Sequence, residues 1–118
     1  MKSYFKPHEL ACRCGCGTVF VSARALKKLN IFREILGVPF SPNSAARCPT
    51  HNARVGGKPL SQHRSTEARP STAFDIPIKP GMSKQEIIHA AEKAGFGGIG
   101  VNYRTFVHID DRGRRARW

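Results

Sequence analysis

His63, Asp75 and His108 are the residues whose types could do hydrolytic chemistry together. Imidazole nitrogen and carboxylate oxygen suit zinc, and a hydrolytic zinc site needs three protein ligands with one position left open for water. The spacing is awkward. His63 and Asp75 lie near the two ends of "SQHRSTEARPSTAFDI", with a stretch rich in Ser, Thr and Pro between them, and His108 stands far downstream in "FVHID". On spacing alone the plainer reading is favoured, in which each is a satisfied structural residue. In a strand "TAFDIPI", Phe74 and Ile76 would face one side and Asp75 the other. In "TFVHIDD", Phe106, His108 and Asp110 would share a face. Two neighbouring strands and one loop can converge on a metal in this way.

The elements that must hold these residues can be read from periodicity. Leu26, Leu29, Phe32 and Leu36 make an apolar stripe in a helix running from about Ser22, a plausible N-cap, to Leu36, with Gly37 as the stop. "MSKQEIIHAAEKAGF" predicts a second helix, with Ser83 and Glu86 as a capping box, Ile87, Ala91 and Ala94 facing inward, and Gly95 ending it. "GGIGVNY" and "TFVHIDD" predict two strands joined by a polar turn over 102–104. The long stretch 38–63 reads as loops with a short strand near Phe40. The residues before Ser22 read as irregular, and "RGRRARW" as a basic tail. The predicted class is α+β, a small, antiparallel sheet with flanking helices, in one domain over residues 1–118.

The chain has 118 residues, with 20 Lys and Arg against 8 Asp and Glu, a net charge of +12. Such a surface attracts polyanions: nucleic acid, anionic lipid or acidic wall polymer. The plainer alternative is a basic face that is only solvated. No apolar run is long enough to span a membrane. "MKSYFKPHELACRCGCG" has no apolar signal core, so synthesis in the cytoplasm without a signal peptide is expected. The cysteines are Cys12, Cys14, Cys16 and Cys48. C-x-C-x-C is tighter than the usual zinc-knuckle pair, so a metal site, a disulfide to Cys48 and plain reduced thiols all stay open.

The ordered series "SAARCPTHNARVGG", "SQH", "AFDI", "GFGGIGV" and "FVHIDDRGRRARW" resembles the zinc peptidases of the M15 family, and the likeness covers nearly the whole chain. That family includes D-Ala-D-Ala carboxypeptidases and L-alanyl-D-glutamate endopeptidases. The nearest pattern is that of its compact phage and bacterial members. The resemblance implies a hedgehog/DD-peptidase-like fold and Zn2+ held by His63, Asp75 and His108. It places Arg47 on the substrate carboxylate or carbonyl, where a guanidinium would stabilise a developing oxyanion, and Ser61 beside it in substrate binding. The implied activity is cleavage of peptidoglycan stem peptides, as a carboxypeptidase or endopeptidase. The alternative is a zinc-containing module that binds wall or partner without catalysis. A monomer is expected, and nucleic acid is the last-ranked partner. A phage lysis or virion-associated enzyme would act on the cell wall or periplasm.

Two departures from the family pattern stand out. The connection from His63 to Asp75 is several residues longer than the family's tight turn and lacks its glycine. A surface loop can take such an insertion, since doubling its length costs only about 0.6 kcal/mol of closure entropy. "RSTEARPS" is therefore expected to bulge at the cleft rim with both ends anchored. Many family members also carry a carboxylate general base three residues before the last histidine, where this chain has Thr105. Asp110 is the first substitute, the alternative being that it only holds Arg112 or Arg47 in place. Glu67 and His51 are further candidates. Ser-Ala-Ala before Arg47, where the family tends to Ser-Gly-Tyr, could alter the cleft.

Overall fold

The computed structural model describes residues 4–17, 19–58 and 61–118. In chain order they form α1 (Pro7–Leu10), α2 (Ala23–Leu36), α3 (Pro49–Arg54), β1 (Ala73–Pro77), α4 (Lys84–Ala94), β2 (Gly98–Gly100), β3 (Phe106–Asp110) and β4 (Ala116–Arg117). The fold is α+β, as expected from the sequence.

Both long helices begin and end where their capping residues predict. Ser22 Oγ accepts the Ala25 amide at 3.2 Å, and Gly37, at φ 73°, closes α2 by donating its amide to Arg33. Ser83 Oγ accepts the Glu86 amide at 3.2 Å at the start of α4, and Gly95 ends that helix. The apolar stripes pack the helices against each other and against the sheet. Leu29, Phe32, Phe74, Ile76, Ile87, Ile99, Val107 and Ile109 are all essentially inaccessible to solvent. Phe96 meets both Phe32 and Phe74 edge-on, knitting helix to strand. Lys28 reaches from α2 to Asp111 Oδ1 at 2.7 Å and the Gly95 carbonyl at 3.0 Å, which ties α2 to the ends of β3 and α4.

The sheet order is β1-β3-β2-β4. β1 pairs antiparallel with β3, and Asp75 sits directly opposite His108 in that register. Alternation then sends Phe74, Ile76, Val107 and Ile109 into the core and puts Asp75 and His108 side by side on the other face.

Three expectations are corrected. The sheet is mixed rather than wholly antiparallel, because "RGRRARW" is more than a tail: β4 joins β2 in parallel through the pairs Gly98–Ala116 and Ile99–Arg117. No strand forms at Phe40. Pro39 and Pro42 flank it and cannot donate to a ladder, and its ring instead packs on Phe5 and Phe32. The long loop region holds a short helix, α3, started by Pro49 at its first position and capped by Cys48.

Candidate metal centre and cleft

A cleft of about 840 Å³ opens over the exposed side of β1 and β3. Its wall includes Arg47, Ser61, His63, Asp75, Tyr103, His108, Arg112 and Trp118. The three residues singled out first from the sequence therefore meet, although the chain separates them widely.

The segment before Arg47 does much of the positioning. Ser44 bridges Asp75: the Asp75 amide donates to the Ser44 carbonyl at 2.9 Å, and the Asn43 amide donates to the Asp75 carbonyl at 2.8 Å. Further along, Arg47 lies beside the His63 loop. Its amide donates to the His63 carbonyl at 2.7 Å, and its carbonyl accepts the Ser65 amide at 2.6 Å. Ala45 and Ala46 are buried between these two attachments. One short extended stretch thus fixes Asp75, His63 and Arg47 relative to one another.

The hydrogen bonds around the histidines decide which ring nitrogens face the centre. His63 Nδ1 lies 2.7 Å from the Ala45 carbonyl oxygen, which can only accept, so Nδ1 carries the proton. His63 Nε2 is left pointing at Asp75 Oδ1, 3.0 Å away. His108 Nε2 lies 2.7 Å from Asp110 Oδ2, another acceptor, and His108 Nδ1 points at the same Asp75 Oδ1 from 3.1 Å. Two imidazole lone pairs and a carboxylate oxygen thus converge, all within 4.8 Å of one another. Lone pairs so crowded repel unless a cation lies among them, either protons on the rings or a metal ion. Ligands about 2.0–2.1 Å from a common tetrahedral centre stand roughly 3.3 Å apart, close to the separations found. The donor set therefore fits zinc.

The electrostatics point the same way. Burial alone would raise the Asp75 pKa, but hydrogen bonds from His108 and His63 outweigh it and hold the carboxyl well below the usual carboxylate range. Asp110 is also desolvated. Arg112 and His108 nevertheless bring its pKa down to about 2. His108, despite its burial, is raised by Asp110 and Asp75. The site is built to hold positive charge.

The remaining residues fall into place around this centre. Arg47 lines the cleft with Nη2 3.8 Å from Asp75 Oδ2, steadied by a bond from Nε to Ser44 Oγ at 3.3 Å. Ser61 also lines it, but its Oγ accepts the His63 amide at 3.2 Å and so shapes the loop that presents His63. The inserted stretch bulges as expected. Glu67 to Pro70 are exposed, while the hydroxyls of Ser65 and Ser71 both donate to the Phe20 carbonyl, at 2.6 and 3.1 Å. The loop leaves and returns at one anchor. Glu67 and His51 are not on the cleft wall.

Asp110 is fully buried. Arg112 donates to both of its oxygens at 2.8 Å, and His108 Nε2 donates to Oδ2. It lies behind His108, on the side away from Asp75.

Two cleft residues escaped the sequence reading, Tyr103 and Trp118, while Arg112 entered it only as an arginine that Asp110 could hold. The Arg112 guanidinium lies 4.6 Å over the Trp118 ring, and the Trp118 indole N–H donates to Tyr103 Oη at 2.9 Å. Their signal was the glycine pattern of "GGIG". A Cβ on Gly98 would fall 2.3 Å from Asp110 Oδ1 and 2.6 Å from Arg112 Nε, and one on Gly100 would fall 2.4 Å from Trp118 Nε1. These glycines leave the room in which Asp110, Arg112 and Trp118 are seated.

The model of one protein family, Peptidase M15, matches residues 3–110. The chain belongs to the peptidase M15 family. The match spans nearly the whole chain and takes in the M15-like motifs from "RCPTHN" to "FVHID". Comparison with curated proteins gave no match. As a member of the M15 family the chain is a peptidase, and no helix among its described residues is long and apolar enough to cross a membrane.

Proposed function

We propose that this M15 peptidase is a zinc enzyme that hydrolyses the stem peptides of peptidoglycan, with His63, Asp75 and His108 as the metal ligands. The observation that carries the reading is the convergence of His63 Nε2, Asp75 Oδ1 and His108 Nδ1, each histidine having its other nitrogen fixed by an acceptor. When bound, zinc would polarise a scissile carbonyl and lower the pKa of water at its open position to about 7.

The chain's own residues supply the rest. Arg47, on the same wall, offers a planar guanidinium to the substrate carbonyl or carboxylate as negative charge develops. Ser61 keeps the His63 loop in register. Asp110 is reassigned from general base to positioning residue: its oxygens are engaged by Arg112 and His108, and it is shut off from the cleft. It holds the His108 tautomer and ring orientation, as outer-shell carboxylates do for metal-bound histidines. Tyr103 Oη accepts from Trp118, which leaves its own proton available to a departing amine. Arg47, Lys58, Arg69, Arg112 and Arg114 make the cleft lining strongly cationic, which suits stem peptides rich in carboxylates.

A second reading has one observation in its favour. Among the described cleft residues Asp75 is the sole Asp or Glu, so a second side-chain carboxylate to act as base is absent there and a zinc-bearing wall-binding module would look the same. Clearing of purified peptidoglycan separates the two. Zinc-loaded wild type should solubilise the wall, and His63→Ala and Asp75→Ala should not. If these variants digest the wall as fast as wild type, the metal assignment is wrong. If wild type binds the wall and releases nothing, the binding module stands.

A further inference from the structure

All four cysteines of the chain gather in one place, far from any role in the hydrolytic centre. We propose that Cys12, Cys14, Cys16 and Cys48 form a second, structural metal site that takes a soft divalent ion, zinc(II) foremost, and pins the segment carrying Arg47.

The four sulfurs all lie within 4.8 Å of one another. Cys12 and Cys14 are 3.4 Å apart, and Cys14 and Cys48 are 3.7 Å apart. Thiolates about 2.3 Å from one zinc ion stand roughly 3.8 Å from each other in a tetrahedron. The spacing C-x-C-x-C looked too tight for this, because alternate residues of an extended chain would spread along a line. The backbone solves it by turning sharply: the Gly15 amide donates to the Cys12 carbonyl at 3.3 Å, and Gly15 and Gly17 take φ of 87° and 83°, a region glycine enters freely. Three sulfurs are thereby drawn to one side of a single turn.

The fourth arrives from the other end of the site. The Cys48 amide donates to Cys12 Sγ, and the His51 amide to Cys48 Sγ, both at 3.3 Å. Amide donors to sulfur are the partners a thiolate ligand accepts. Arg13 braces the turn from outside, with Nη2 donating to the Pro42 carbonyl at 2.6 Å and to the Glu9 carbonyl at 3.3 Å. Binding one zinc(II) releases four protons from the four thiols and leaves a centre of net charge −2. It staples the arm around α1 to the residue that immediately follows Arg47. This inference does not depend on the peptidase reading, since it concerns different residues and a different ligand class.

The test is cobalt(II) titration of reduced, metal-free wild-type protein, followed in the near ultraviolet. A sulfur-to-cobalt charge-transfer band should grow to saturation, disappear when zinc is added, and persist in His63→Ala. It should be lost in Cys14→Ser and Cys48→Ser. Zinc should also slow thiol modification of the wild type by at least about tenfold, a readout that needs no variant to fold. Absence of the band at saturating cobalt, or thiols that react equally fast with and without zinc, would overturn the proposal. So would isolation of the protein from reducing cytosol with the four cysteines paired as disulfides.

Discussion

His108 is held between two carboxylates, its Nδ1 3.1 Å from Asp75 Oδ1 and its Nε2 2.7 Å from Asp110 Oδ2. The two contacts differ in kind. Asp110 is locked by Arg112 and buried behind His108, while Asp75 lines the cleft and faces His63 as well. A positioning role for Asp110 has a consequence that a base would not share. Asp110→Asn should weaken zinc binding by about 10- to 100-fold, and excess zinc should restore most of the turnover. Metal competition assays and zinc titration of activity check this. Unchanged zinc affinity with turnover that excess zinc cannot restore would return Asp110 to the chemistry.

Arg47 is expected to act on the substrate and not on the metal. Arg47→Ala should lower kcat by about 10²- to 10³-fold, the usual loss for one preorganised oxyanion partner, with zinc content unchanged. Steady-state kinetics beside metal analysis separate the two effects. Arg47→Lys should recover only part of the loss, because the fork geometry is gone.

Gly100 leaves the space that Trp118 fills. A methyl group there would meet the indole 2.4 Å from Nε1, so Gly100→Ala should push the ring out and cost roughly 1–3 kcal/mol of stability. Trp118 is the chain's one tryptophan, which makes its fluorescence a direct reporter. A red-shifted emission with a lowered Tm is the expected result.

The inserted loop should be tolerant at its tip and sensitive at its anchor. Glu67→Ala should leave activity unchanged and stability within about 0.5 kcal/mol, since Glu67 is exposed and off the cleft wall. Ser65→Ala removes a buried hydroxyl that donates to the Phe20 carbonyl at 2.6 Å, and should cost about 1 kcal/mol. Thermal melts of the two variants give the comparison.

How legible this was depended on whether the determinants were local. The helices α2 and α4 could be read closely because apolar period, N-cap serine and terminal glycine agree within each segment. The alternation in "AFDIP" and "FVHID" placed Asp75 and His108 on the right face. The resemblance, not the spacing, brought His63 to them. What escaped was set by distant partners. The parallel pairing of β4 depends on "GGIG" leaving room for Trp118 and Arg112, which no local rule announces. Ser-Ala-Ala before Arg47 looked like a change in the cleft. In the fold its Ala45 carbonyl lies 2.7 Å from His63 Nδ1 and sets that ring's tautomer, a partner that no local pattern announces. The face of Asp110 was foreseeable from strand alternation. That Asp110 could hold Arg112 was one of the readings open from the sequence, and only the fold brings the two side chains together.

The most direct test of the proposed activity is mass analysis of products from a defined muropeptide, incubated with zinc-loaded and with chelator-stripped protein. Zinc-dependent gain of one water at a single peptide bond of the stem, restored to the stripped protein by adding zinc back, is the expected result. Intact muropeptide under both conditions, or cleavage that proceeds equally after the metal is removed, would contradict it.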